Sequence, residues 1–238
     1  MSILNCRALL TSRTQEIKIY VQFIRRVLGE SAQLQLPATG KLVSFDKELT
    51  HTLKAHGYLL LYNAIEATCA AAFEDIHRAV EGEFAANGTT FTIENLNLQL
   101  VRQVLSRFRA STTSNFPLAP QGTGKWLIEF WLDDHKRGVA NNHNPLMSGN
   151  LDARAMRELA EKYGFAHYRK LENRWGAGTL SAKQKRNDLA HGKVSFADCG
   201  RDVSLQDLAG DAIGVVCYLR RYVGAVEQYV SDRAYALT

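Results

Sequence analysis

The segment SLQDLAGDAIGVVCYLRRYVGAVEQYV, residues 204–230, decides the fold class of this chain. Its apolar residues recur at intervals of three and four, which is the spacing of one face of an α-helix. Ser204 followed by Asp207 resembles a capping box, the arrangement that satisfies free backbone N–H groups at a helix start. A helix with so long an apolar face must pack against other elements. The residues of that face are Leu205, Leu208, Ala212, Val216, Leu219, Val223, Val226 and Val230.

Helical periodicity also dominates the rest of the chain, including a segment near the N-terminus that ends before Pro37 and Gly40. We therefore predict an all-α protein, an antiparallel helical bundle in which one further region of loops and helix is inserted. Gly57, inside one of the helical segments, indicates a bend or a point of close packing. The predicted core helices cover residues 46–84, 93–108, 180–191 and 205–233.

The length of 238 residues fits one domain over 1–238, in which 110–165 is the expected insert. Within the insert, the polar stretch 110–124 predicts a loop, and KWLIEFWLDD (125–134) fits either a helix or a strand. A second polar loop contains NNHNP (141–145). The segment NLDARAMRELAEKYG predicts a compact helix that ends at Gly164. The insert could recognise a substrate or partner, or it could contribute to a dimer contact.

Residues 180–235 carry a short predicted helix, the loop 192–203 and the long helix described above. The short helix starts near Leu180 in this interpretation, after the flexible Gly176 and Gly178, and it contains the sequence RNDLAH. Gly192 then provides a helix stop. Arginine can hold phosphate oxygens with a fork of donors, and histidine can move a proton near neutral pH. The alternative is a basic helix end that favours the C-terminal dipole.

Helix geometry sets a condition on this chemistry. Asn187 and His191 lie about 40° apart on one helix face, whereas Arg186 and His191 lie about 140° apart. Two arrangements would bring the arginine and the histidine to one target. The helix could end at His191 and leave that side chain free to turn, or a second copy could face the first across a two-fold axis. We favour the second arrangement, which predicts a homodimer with a composite site.

The motif Arg186, Asn187 and His191 resembles the Arg-x4–6-His motif of the HEPN superfamily, whose members are helical bundles and often metal-independent ribonucleases. The stretches TLKAHGYLLLYNAIEAT, SGNLDARAMRELAEKYGF and KQKRNDLAHGKVSFADCGRDVSLQDL extend the resemblance, to a branch from bacterial defence and toxin–antitoxin loci. The resemblance implies an endoribonuclease that uses the 2′-OH of RNA as nucleophile and leaves 2′,3′-cyclic phosphate and 5′-OH ends. It also implies that this enzyme serves phage defence or acts as a toxin. It also implies an antitoxin or regulatory partner. HEPN toxins that a partner nucleotidyltransferase neutralises carry the modified tyrosine two residues after the histidine. This chain has Lys193 at that position, so we do not expect silencing by modification there.

These residues receive distinct roles in the predicted site. Arg186 would stabilise the charged phosphate, His191 would act as base or acid, and Asn187 would orient the phosphate or the imidazole. Three lysines near the motif would contact the RNA backbone, or would simply form a solvated helix face. These lysines are Lys183, Lys185 and Lys193.

Composition is consistent with RNA binding but does not require it, since the net charge is +5 and the pI is near 9.0. The four cysteines have no CxxC spacing, and His135 and His143 have no cysteine at ligand spacing, so we expect no disulfide framework, no metal and no cofactor. We expect a cytoplasmic protein without a membrane segment, because the apolar runs are short and no signal peptide is visible. A non-catalytic HEPN-like binding module and a helical scaffold remain the alternatives.

Overall fold

The computed structural model describes residues 4–29, 33–87, 90–111, 120–140, 150–165 and 169–237. Within these ranges the fold is helical, with one two-stranded antiparallel hairpin (β1, Gln33–Gln35; β2, Leu42–Ser44) in which Gln33 pairs with Ser44. One 3-10 turn covers Ile93–Asn95. The helices are α1 (Asn5–Gly29), α2 (Lys47–Asn87), α3 (Leu98–Ala110), α4 (Pro120–Ala140), α5 (Ala153–Tyr163), α6 (Arg169–Ala190), α7 (Phe196–Arg201) and α8 (Leu205–Ser231).

The core lies where α2 packs against α1, α6 and α8. The capping box of Ser204 and Asp207 is present at the start of α8, as the sequence predicted. The α8 face that begins at Leu208 is buried, and large tyrosines extend it beyond the predicted set. The all-α helical bundle is therefore confirmed. The buried residues of α8 are Leu208, Ala212, Val215, Tyr218, Leu219, Tyr222, Val223, Val226 and Tyr229.

The segment 125–134, which periodicity left undecided, lies within helix α4. The segment is helical because its apolar residues, including Ile128 and Trp131, bury one face in the core cluster. Helix α5 ends at Gly164 as predicted, since that residue adopts φ +84°. The predicted loop 110–124 is partly helical, because α4 begins at Pro120; its residues 112–119 and the segment 141–145 lie outside the described residues.

Two predictions about the region of the motif were wrong. The motif helix begins at Arg169 rather than near Leu180, because Gly176 and Gly178 lie inside it. At Gly178 the backbones of α6 and α8 touch, so that a Cβ there would lie 2.6 Å from the carbonyl oxygen of Asp211. The glycine permits close packing instead of ending the helix. The predicted loop 192–203 contains α7, whose Gly200 packs against the backbone of His51 in α2.

None of the helices in the described ranges has the length and apolar character needed to cross a membrane.

Candidate functional site

The motif helix ends as its sequence predicts. Gly192 adopts φ +63°, a conformation that glycine takes without steric cost. The N–H of Lys193 donates to the carbonyl of Asp188 (2.9 Å), and the N–H of Gly192 donates to that of Leu189 (3.1 Å). These two bonds form a Schellman motif. His191 is therefore the residue immediately after the helix, and it is exposed.

Arg186 is held from several sides. Its guanidinium carbon lies 4.8 Å from the centre of the Tyr62 ring in α2, at cation–π distance. Its Nη1 donates to Asn187 Oδ1 (3.0 Å), and its Nη2 lies 4.0 Å from Glu66 Oε1. Burial raises the pKa of Tyr62 to about 12, so the ring stays neutral. The side chain of Arg186 is still 30% exposed, so part of it remains accessible to solvent.

Side chains on a second face of α6 bind the segment that leads into α5. Three positions spaced by four residues lie on this face, and each contacts the segment 150–153. The motif helix is thus joined to the predicted insert by polar contacts. The contacts are Asn187 Nδ2 to Asn150 Oδ1 (2.7 Å), the ion pair of Lys183 with Asp152, and Ala153 N–H to Thr179 Oγ1 (2.9 Å).

The family model described as HEPN_MAE_28990-like HEPN matches residues 7–235. The chain belongs to this HEPN family. No curated protein and no solved structure matches it. The match includes α2 and α6, the two helices whose side chains surround Arg186 in this HEPN chain. The resemblance stated from RNDLAH and its neighbours is therefore confirmed at the level of the family.

The structure places the predicted site residues of this HEPN chain in two groups. Arg186 and Asn187 are joined by a hydrogen bond on the helix. His191 follows the last helical residue, about 7.5 Å further along the axis than Arg186 and about 140° around it. The helix thus ends before His191, which is the first of the two arrangements considered from the sequence, and helical spacing alone does not fix the direction of the imidazole.

The three predicted RNA-binding lysines have different neighbours in this HEPN chain. Lys183 forms its ion pair with Asp152 and is only 22% exposed. Lys185 lies with Nζ 5.1 Å from the ring centre of Tyr58 in α2. Lys193 pairs with Asp188 at 3.2 Å and is 63% exposed. Lys193 is thus the most accessible of the three, and the sites of RNA contact stay a prediction.

Sequence reasoning missed three neighbours of the motif, namely Tyr62, Glu66 and Asn150. Tyr62 carries no functional signal in the sequence, because an aromatic residue at helical spacing is more often part of the core, and it is buried. Tyr62 and Glu66 are four residues apart and so share one face of α2, which was the available signal. Within the described ranges, no three His, Cys, Asp or Glu side chains are grouped so that they could hold a metal ion.

Proposed function

We propose that this HEPN chain is a metal-independent endoribonuclease with Arg186 and His191 as its catalytic residues. The observation that supports this most is the held guanidinium of Arg186 beside Tyr62 and Asn187, with part of its surface open. A guanidinium fixed by its neighbours loses little entropy when it binds a phosphate. An exposed imidazole follows at the helix end, where a substrate could reach it.

In the proposed reaction the 2′-OH of one ribose attacks the adjacent phosphorus. His191 accepts the 2′-OH proton, and the donors of Arg186 stabilise the negative charge that develops on the phosphate oxygens. The bond from phosphorus to the 5′-oxygen breaks, and a second acid protonates that oxygen. The products are a 2′,3′-cyclic phosphate and a 5′-OH end. Asn187 keeps the guanidinium oriented through its Oδ1.

We further propose a homodimer with one composite cleft. Its support is the helical spacing, which sets positions 186 and 191 about 140° apart around the helix axis, so that a two-fold axis beside the helix end would bring two of each residue together. The His191 of the partner subunit then supplies the second acid. Mixing Arg186→Ala with His191→Ala subunits should restore part of the activity but not all of it, since the mixed dimer keeps one arginine and one histidine and lacks the second acid.

A defence or toxin role, a cytoplasmic location and a silencing partner belong to the same proposal, because an unregulated ribonuclease would damage its own cell. The Lys193 side chain stands two residues after His191, where a modified toxin would have tyrosine. We infer that any silencing acts through binding instead of modification of this position.

A non-catalytic binding module is the second candidate, and a specific observation favours it. Asn187 and Lys183 bind Asn150 and Asp152 of the same chain, so part of the motif face has a structural role. A module of this kind would bind a nucleotide, RNA or a partner protein without cleaving it.

The experiment that separates the two candidates uses a labelled RNA and the same sequence with 2′-deoxyribose, both in EDTA. Cleavage of the RNA alone, with cyclic-phosphate ends and loss of activity in Arg186→Ala, supports the ribonuclease. Arg186→Lys should recover little, because a lysine lacks the bidentate fork. Salt-dependent RNA binding without cleavage by the purified protein would favour the binding module.

A further inference from the structure

A surface groove runs between α1 and α8, and none of the motif residues on α6 lines it. The two helices are antiparallel, as the ion pair of Arg7 with Glu227 near their opposite ends shows. Each helix contributes positions at i, i+3, i+4, i+7, i+8 and i+11, so the groove follows one stripe of each helix. Its volume is about 310 Å³. The lining residues are Thr14, Ile17, Lys18, Val21, Gln22 and Arg25 of α1 and Ala209, Ala212, Ile213, Val216, Cys217 and Arg220 of α8.

The α1/α8 groove has an apolar floor, in which Ile17 and Ala212 are buried and Val21 and Ala209 are partly exposed. Ile17 and Val21 line one side, and the small residues Ala209 and Ala212 leave the depression between the helices. Ile213 is 64% exposed, which is the largest exposure among the large apolar side chains of the described residues. Apolar side chains that line one depression mark an interaction surface more often than an isolated apolar residue does.

The rim of the groove is basic. Lys18, Arg25 and Arg220 line it, and Arg26 joins Arg25 where the depression continues toward the start of α8. All four are exposed, and within the described ranges none of them forms an ion pair. The lining residues of the two depressions include no carboxylate. A ligand of this groove would therefore meet positive charge at both ends and an apolar floor between them.

We propose that the α1/α8 groove binds an acidic amphipathic helix of a partner protein. A stripe from i to i+11 is about 16 Å long, which matches three turns of a helical ligand. Leucine-type residues at i, i+3, i+4 and i+7 would occupy the floor, and flanking carboxylates would pair with Arg25 and Arg220.

Charge argues against one other occupant of the groove, and the apolar floor argues against another. A second copy placed on this face across a two-fold axis would bring one basic rim against another, which is repulsive. RNA would match the rim but would leave Ile213 and the apolar floor without a matching surface. The groove is also independent of the proposed ribonuclease site, because α8 faces α6 through Asp211 and Gly214, on its other side.

The test uses a designed 15-residue helical peptide with leucines at i, i+3, i+4 and i+7 and glutamates on both flanks. Its control peptide has glutamine at every glutamate. Fluorescence anisotropy with the full chain should show binding of the acidic peptide, about tenfold weaker binding of the glutamine peptide, and weaker binding at 0.5 M salt. Ile213→Ala should weaken binding about tenfold, and Arg25→Gln with Arg220→Gln should remove the preference for glutamate.

Ile19→Ala is the matched control, because Ile19 is also exposed (57%) on α1 but does not line the groove. It should bind the acidic peptide as the wild type does. Three results would overturn the proposal. The first is that Ile213→Ala binds the acidic peptide as tightly as the wild type does. The second is that the wild type forms a dimer that Ile213→Arg dissociates. The third is that the peptide does not bind, while the chain binds RNA and Arg25→Gln abolishes that RNA binding.

Discussion

The contact between α6 and α8 at Gly178 makes a quantitative prediction about stability. A Cβ at position 178 would lie 2.6 Å from the carbonyl oxygen and 3.0 Å from the Cα of Asp211. Both are backbone atoms of a long helix, so they cannot move aside as a flexible side chain could. Gly178→Ala must therefore push the motif helix away from α8.

The magnitude follows from two opposing effects. Overpacking a well-packed core costs up to about 3 kcal/mol, whereas alanine in place of glycine inside a helix gains about 1 kcal/mol. We expect Gly178→Ala to lower the free energy of unfolding by about 2 kcal/mol. Gly224→Ala is the control, because position 224 is also inside a helix, α8, and a Cβ there meets no atom within 4 Å. It should raise the free energy of unfolding by up to about 1 kcal/mol.

Urea unfolding followed by circular dichroism measures both changes, so long as the slope of unfolding free energy against urea stays the same. The two substitutions are chemically identical, and the account predicts opposite signs. A Gly178→Ala protein that is as stable as the wild type or more stable would refute the close contact between α6 and α8. Because α6 carries Arg186, we also expect Gly178→Ala to reduce any RNA cleavage.

Three further predictions concern charges and rings. His77 and His135 stack on each other, and burial lowers the pKa of both, that of His77 to about 3. As the pH falls below about 6.5, these two histidines therefore bind protons in the unfolded chain before they do so in the folded chain. The free energy of unfolding, measured by urea titration, should therefore decrease as the pH is lowered from 6.5 toward 3. His77→Gln should reduce this pH dependence by about 1.4 kcal/mol per pH unit. An unchanged pH dependence in His77→Gln would contradict the prediction. Asp152→Asn should destabilise the chain by about 1–3 kcal/mol because Lys183 loses a partly buried partner, whereas Asp188→Asn, at an exposed pair, should cost no more than about 0.5 kcal/mol. Equal effects in thermal unfolding would speak against the docked 150–153 segment. Tyr62→Leu removes the ring under Arg186 and should slow RNA cleavage about three- to tenfold, whereas Tyr62→Phe should stay within about twofold; equal rates would exclude a positioning role for the ring.

Sequence patterns predicted those features of the fold that depend on residues within one helical turn. The capping box at Ser204 and the helix ends at Gly164 and Gly192 depend on residues within one turn, so the sequence predicted them correctly. Gly178 was misread because its role depends on Asp211, which comes from a different helix. A glycine that allows close packing and one that ends a helix have the same sequence appearance.

Some residues of the candidate site could likewise be predicted from the sequence, and others could not. Arg186, Asn187 and His191 could be chosen because they are adjacent in sequence and chemically suited to a phosphodiester. Tyr62 and Glu66 come from α2, more than a hundred residues earlier, and periodicity gives no register between two helices. The bonds from Asn187 and Lys183 to the segment 150–153 were also out of reach, since polar loop residues carry no periodic signal.

The most direct test of the central claim is the initial rate of RNA cleavage in EDTA by the purified wild type and by His191→Ala. General acid–base catalysis contributes about 10²- to 10⁴-fold, so the account predicts a loss of at least about 10²-fold in a variant that still folds. His56→Ala removes another exposed histidine and should keep the wild-type rate. Cleavage by His191→Ala at the wild-type rate would contradict the assignment of the motif as the catalytic site.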